Sequence, residues 1–257
     1  MEGWLAALAV SALSGGMTAV GAAPVLVGWR PDERNTNALL GFAAGVMLAA
    51  SFFSLIIPAL DVAEQQFGDG LIPPSIAVAG IILGALLIAV IDRCVPHEHF
   101  VKGAEGPAGI RLSRLWLFII AITIHNIPEG LSVGITAAGG DYNATVAIAS
   151  GIGLQNVPEG LAVALALLAI GYGRMHAFVI AGLTGAVEPI GGVIGGWFVG
   201  IAEWFLPWGL LVSAGAMIFV ISHEIIPETH REGHHSRASI GLMIGLVVML
   251  FLDVWLA

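Results

Sequence analysis

The sequence predicts an all-α polytopic membrane protein, and three observations carry that prediction. Hydrophobic residues make up 58% of the 257 and charged residues only 11%, where an ordinary soluble domain has about 25% charged. The apolar residues fall in runs of roughly 20 or more, the length a helix needs to cross a bilayer core of about 30 Å. All Lys and Arg residues lie in alternate links between those runs. Helix is the expected state because lipid offers the backbone no hydrogen-bond partners, so each span must satisfy its own N–H and C=O groups.

The runs predict eight spans, near 5–29, 38–60, 71–91, 115–139, 144–170, 176–202, 206–226 and 238–256. The first opens with "MEGWLAALAV", which has no basic n-region, so no cleavable signal peptide is expected. That span holds Gly15, Gly16 and Pro24, and the third begins at "IPPS". Charges and turn residues collect in the links "RPDERNTN", "DVAEQQFGDG", "RCVPHEHFVKGAEGPAGIRLSR", "GGDYN", "GYGR" and "PETHREGHHSRAS". No link is long enough for a soluble domain, so 1–257 is expected to be a single transmembrane transporter domain.

The basic residues predict orientation. Arg30 and Arg34 lie in the first link, and Arg93, Lys102, Arg111 and Arg114 in the third. Arg174 lies in the fifth, and Arg231 and Arg237 in the seventh. The positive-inside rule then puts the odd links in the cytoplasm and both termini outside. The outer side keeps Glu2, Asp61, Glu64, Asp69, Asp141 and Glu203, acids without bases, a surface that concentrates cations. A net charge of −9 argues against a nucleic-acid partner. The single Cys94 excludes an intramolecular disulfide and any multi-Cys metal site.

Weak internal repeats suggest a carrier layout. "AGVMLAASFFSLIIP" (44–58) echoes "AGAMIFVISHEIIP" (214–227), one residue out of register, and "AVID" (89–92) echoes "LFLD" (250–253). Pro24 and Pro189 each sit in a Gly-rich span. Spans 1–3 would thus repeat as spans 6–8, inverted, with spans 4 and 5 between them: an inverted 3+2+3 repeat.

Spans 4 and 5 hold the chemistry, in "HNIPEG" (125–130) and "QNVPEG" (155–160). Glu129, Glu159 and Glu188 lie near mid-span, where an ionised carboxylate costs about 2.5–3.5 kcal/mol on insertion scales. No Lys or Arg lies within a span to neutralise them. Shared protons or a bound cation are the ways to offset the cost. The neighbours favour the cation: His125 and Glu129 are i and i+4 on one helix face, as are Gln155 and Glu159, and Asn126 and Asn156 each stand three before their Glu. Glu188 adds a third carboxylate. Mixed N and O ligands suit Zn²⁺, Fe²⁺, Mn²⁺ or Cd²⁺. Pro128 and Pro158 remove an N–H each and free the carbonyls of Ile124 and Leu154, which is tolerated at membrane depth only beside protein or a wet cavity.

These motifs resemble the ZIP (Zrt-, Irt-like) family of divalent-metal transporters, above all its bacterial branch. The resemblance covers nearly the whole chain and includes "GFAAGVMLAASFFSLIIPAL", "VEPIGG" and "GAMIFVISHEIIPETHREGH". It implies a binuclear site, with a first metal on His125, Glu129, Gln155, Glu159 and Met47. A second metal would use Asn126, Glu129, Asn156, Glu159 and Glu188, with the Glu residues bridging. Bacterial relatives often carry Asp where Asn156 stands, so the first position is expected to be occupied more firmly. The resemblance also implies a homodimer in a bacterial cytoplasmic (inner) membrane and flux into the cytoplasm, with zinc as the leading substrate. A bundle of spans 1, 4, 5 and 6 would move against spans 2, 3, 7 and 8.

Further candidates flank this centre. Ser54, Asp61 and Asp253 are expected toward an outer entrance, and Asp92, His223 and Glu224 toward an inner exit. His97, Glu98, His99, His230, His234 and His235 are expected in cytoplasmic links that could collect metal. The competing reading is a proton-coupled carrier of another solute, which would also use buried Glu and His. An enzyme is disfavoured: "HEIIP" (223–227) lacks the second His of H-E-x-x-H. No organic cofactor is expected.

Overall fold

Apolar runs do become helices. The computed structural model describes residues 3–31, 33–94, 97–99, 103–105, 114–169, 171–201, 203–229 and 235–256. Helix α1 (Gly3–Ala22) ends in a 3₁₀ turn, Ala23–Val27, that begins where Pro24 withdraws its N–H. Helix α2 (Glu33–Ala49) passes through a π-helical segment, Ala50–Ile56, into α3 (Ile57–Phe67). Helix α4 spans Ile72–Cys94, α5 Arg114–Gly139 and α6 Tyr142–Ala169. Helix α7 (Arg174–Thr184) breaks into a 3₁₀ turn, Gly185–Val187, and resumes as α8 (Glu188–Ile201). Helix α9 (Leu206–Val220), a second π segment (Ile221–Ile225) and α10 (Ile226–Thr229) precede α11 (His235–Leu256).

Seven of these rods are long and apolar enough to cross a membrane: Gly3–Val27, Asn35–Phe67, Ile72–Ile91, Tyr142–Leu168, Arg174–Val199, Leu206–His223 and Ser236–Leu256. The fourth expected span corresponds to α5, 26 residues long, several of whose side chains lie outside the described residues.

Two local expectations need correction. "DVAEQQF" is helix rather than link, and α3 runs to Phe67 before Gly68 turns the chain at φ 75°. Nothing before Gly68 breaks the helix, and Ala59 and Ala63, one turn apart, bury a small face toward α4 and α9. The third link is not wholly irregular: β1 (His97–His99) pairs antiparallel with β2 (Gly103–Glu105), His97 opposite Glu105.

The helices pack in two groups. Helix α1 packs on α5, α6, α7 and α8, and α5 also on α6 and α8. In the other group α2 packs on α11, α4 on α9, and α3 on both α4 and α9. The groups meet where α6 crosses α2 and α11 and where α5 crosses α9. Small residues hold the second group together, since lipid gives no hydrophobic drive between spans. Gly41 and Gly45 of α2 lie against the α11 backbone at Ala238 and Leu242, while Gly241 and Gly245 return the contact at Ala38 and Phe42.

Alternate links share an end. Arg174 Nη1 donates to the Leu26 carbonyl at 3.4 Å, and Arg237 Nη1 to Asn35 Oδ1 at 3.4 Å, which brings the first, fifth and seventh links together. At the opposite end Gly3 lies beside Ala138, and Gly139 beside Leu206.

The π segments bear on the one-residue mismatch between the two echoing stretches. Each ends two residues before a proline, Pro58 or Pro227. A proline there cannot donate to the carbonyl four residues back, so the turn upstream is where the helix widens. The longer echo, 44–58, carries the seven-residue π segment, and the shorter one, 214–227, the five-residue one.

Candidate metal centre

The centre is built where α5 and α6 cross α1 and the α7–α8 break. Glycines permit that approach. Gly130, last of the first hexapeptide, lies against the backbone of Glu188, and Gly160, last of the second, against the Thr18 carbonyl. A side chain at either place would overlap main chain, so each P-E-G motif sets its Glu beside a neighbouring helix.

On α5, Asn126 is fully buried. Its Nδ2 donates to the Thr184 carbonyl at 2.8 Å. Thr184 closes α7, where helix carbonyls lack intrahelical partners, so the amide supplies the missing donor. Asn126 Oδ1 is then left buried with no hydrogen-bond partner. Glu129 is also fully buried, and neither of its carboxylate oxygens accepts a well-formed hydrogen bond, although Gln155 stands beside it. The helix continues through Pro128, as α6 does through Pro158.

On α6, Gln155 Nε2 donates to Asn156 Oδ1 at 2.9 Å, and Gln155 Oε1 has no partner. Asn156 Nδ2 donates to the Ser14 carbonyl at 2.9 Å and to Glu188 Oε1 at 2.6 Å. Ser14 Oγ donates to Glu188 Oε2 at 2.9 Å. Glu188 is the first residue of α8, where the helix dipole and free N–H groups favour a carboxylate, and Pro189 behind it suits the first turn. Glu129, Glu159 and Glu188 lie near enough that each pair repels. Arg30, Arg93, Arg174 and Arg237 are all at the surface.

The structure thus gathers Asn126, Glu129, Gln155, Asn156, Glu159 and Glu188 in one buried region. His125 lies on α5, its side chain outside the described residues. Among the described residues no three His, Cys, Asp or Glu side chains form a metal-holding group by themselves; the donors are carboxylates interleaved with amides. Met47 is fully buried on α2, which packs on α6.

The flanking candidates divide. Ser54 Oγ donates to Asp253 Oδ1, joining the first π segment to α11, whereas Asp61 is exposed on α3. His223, in the second π segment, stacks on Phe219 with ring centroids 4.9 Å apart. Asp92 and Glu224 lie in helical segments and His97, Glu98 and His99 on β1, all with side chains outside the described residues. His235 opens α11 with its side chain likewise outside, and His230 and His234 lie outside the described residues altogether.

Sequence reasoning missed Ser14, Thr184 and the two motif glycines. One signal was available for Ser14: Ser11, Ser14 and Thr18 form a polar stripe at helical spacing in an apolar span, and all three are buried.

Known proteins resemble the chain over nearly its whole length. A family model described as ZIP Zinc transporter matches residues 97–253, more than half of the chain. The zinc transporter GufA of Myxococcus xanthus is 44% identical over 251 residues, covering 96% of this chain and 98% of that protein. The zinc transporter ZIPB of Bordetella bronchiseptica is 45% identical over 239 residues, covering 92% and 76%. The zinc transporter ZupT of Chlorobaculum parvum is 33% identical over 264 residues, covering 95% of each.

Proposed function

The chain belongs to the ZIP zinc transporter family, and from that premise we propose that its buried centre carries divalent metal, zinc first, with iron, manganese and cadmium as further substrates. It is a membrane metal-ion transporter and not an enzyme. One observation supports the centre most directly. Both oxygens of Glu129, Oδ1 of Asn126 and Oε1 of Gln155 are buried acceptors without hydrogen-bond donors. Unpaired buried acceptors are costly. A cation satisfies several oxygens at once, where a proton satisfies one or two.

In this reading His125, Glu129, Gln155 and Glu159 hold the ion, with Asn126 beside them and Met47 approaching from α2. Several exchangeable oxygen ligands let the ion leave, as a closed tetrahedral cage would not. The chain crosses a bacterial inner membrane eight times, with α5 as the fourth span and both termini outside. Two copies form a homodimer, and flux runs inward. The group of α1, α5, α6, α7 and α8 shifts against the rest, the separation of packing contacts supporting that division. Ser54 and Asp253 serve the outer mouth. Asp92, His223 and Glu224 serve the inner end, and the His-bearing links collect released metal. Uptake of radioactive zinc by proteoliposomes tests the proposal. His125→Ala combined with Glu159→Ala abolishes uptake; undiminished uptake in that protein overturns the site assignment. Uptake of another solute without dependence on metal would favour the proton-coupled carrier instead.

A further inference from the structure

We infer that the buried centre of this chain holds a single metal ion, because the Asn156 amide occupies the place between Glu188 and α1 that a second ion would need. The inference rests on the metal-carrying reading above. The argument is a donor count. An Asn side chain has one carbonyl oxygen and two N–H donors, and only the oxygen can bind a metal. Asn156 spends both N–H donors inside the protein, on the Ser14 carbonyl and on Glu188 Oε1, so hydrogens and not a lone pair face Glu188, while Oδ1 is turned away toward Gln155 Nε2, from which it accepts. The other Glu188 oxygen accepts from Ser14 Oγ. Both oxygens of the third carboxylate are thus answered by donors, whereas those of Glu129 are not.

The amide has one sensible orientation. Turned over, its oxygen would face two acceptors, Glu188 Oε1 and the Ser14 carbonyl, and its N–H groups would face the Gln155 donor. The neutral amide therefore stands in for a cation, bridging a carboxylate and a carbonyl with hydrogen bonds. A carboxylate at position 156 has no N–H to offer. Its oxygen would meet Glu188 Oε1 at 2.6 Å, a repulsion that only a shared proton or a metal ion relieves. Asn closes the second position and Asp opens it. The closed clasp also ties α6, α8 and α1 into one unit at the depth of the remaining ion.

The test is ¹¹³Cd NMR of the purified full-length protein loaded with cadmium. Signals from the buried centre are those that disappear in Glu129→Ala, which separates them from cadmium on the His-bearing links. One such signal is expected in the natural sequence and two in Asn156→Asp. Two in the natural sequence overturn the inference, and one in Asn156→Asp overturns the role given to the amide. No signal lost in Glu129→Ala overturns the metal-carrying reading itself, a different failure from either of these.

Discussion

The two hexapeptides share four residues, yet their surroundings treat them differently. In the α5 copy, one Asn126 donor is spent on Thr184, and the acceptors of Asn126 and Glu129 are left without hydrogen-bond partners. In the α6 copy, Gln155 and Asn156 are knitted to each other, to α1 and to α8. The same motif therefore yields an open half and a braced half. What separates them is the neighbour: α5 meets the carbonyl end of α7, whereas α6 meets a serine carbonyl and a carboxylate that both accept from Asn156, with the Ser14 hydroxyl donating to that same carboxylate. Both copies keep a spare acceptor, Gln155 Oε1 in the second, so position in the packing, not motif identity, decides which asparagine is braced.

That contrast can be broken by substitution. The largest effect is expected at Glu129. Glu129→Ala removes acceptors that no donor answers, so zinc uptake falls by more than about 100-fold while thermal unfolding in detergent is unchanged or raised. A loss of stability that matches the loss of uptake would mean the α5 copy is braced after all. Next come the glycines. Gly130→Val and Gly160→Val each force a side chain into facing backbone and cost about 1–3 kcal/mol or more, read as earlier thermal aggregation. Both copies should suffer alike, since the close approach is the feature they share. The smallest and most discriminating effect lies in the asparagines. Asn156→Ala leaves Glu188 Oε1 and the Ser14 carbonyl without that donor and lowers stability by about 1–3 kcal/mol. Asn126→Ala removes one hydrogen bond, about 1 kcal/mol, and its main effect is weaker zinc binding in a calorimetric titration. If Asn126→Ala proves the more destabilising of the two, the open and braced halves are misassigned.

Much of this was legible in the sequence. Apolar runs located the helices because lipid leaves the backbone no alternative, and the paired motifs marked residues that the structure gathers in one buried region, because buried Glu and Asn demand partners. The end of α3 was missed because charged residues in "DVAEQQF" look like a link, although nothing there breaks a helix. The breaks in α1 and α7–α8 were marked by Pro24 and Pro189, but the π segments were not, since Pro58 and Pro227 say only that a hydrogen bond is lost and not how the helix repairs it. The brace was out of reach for another reason. Ser14 and Glu188 are 174 residues apart, and the orientation of an amide depends on which acceptors the fold happens to bring to it.

The π segments bear on how such a chain can change over generations. In an ordinary α-helix, inserting one residue rotates everything beyond it by about 100° and turns a packed face toward lipid. A widened turn absorbs the extra residue locally and spares the faces on either side. The two echoing stretches differ by one residue and have π segments of seven and five residues. Segments of this kind are where a gene can gain or lose a codon and still encode a helix that fits its partners.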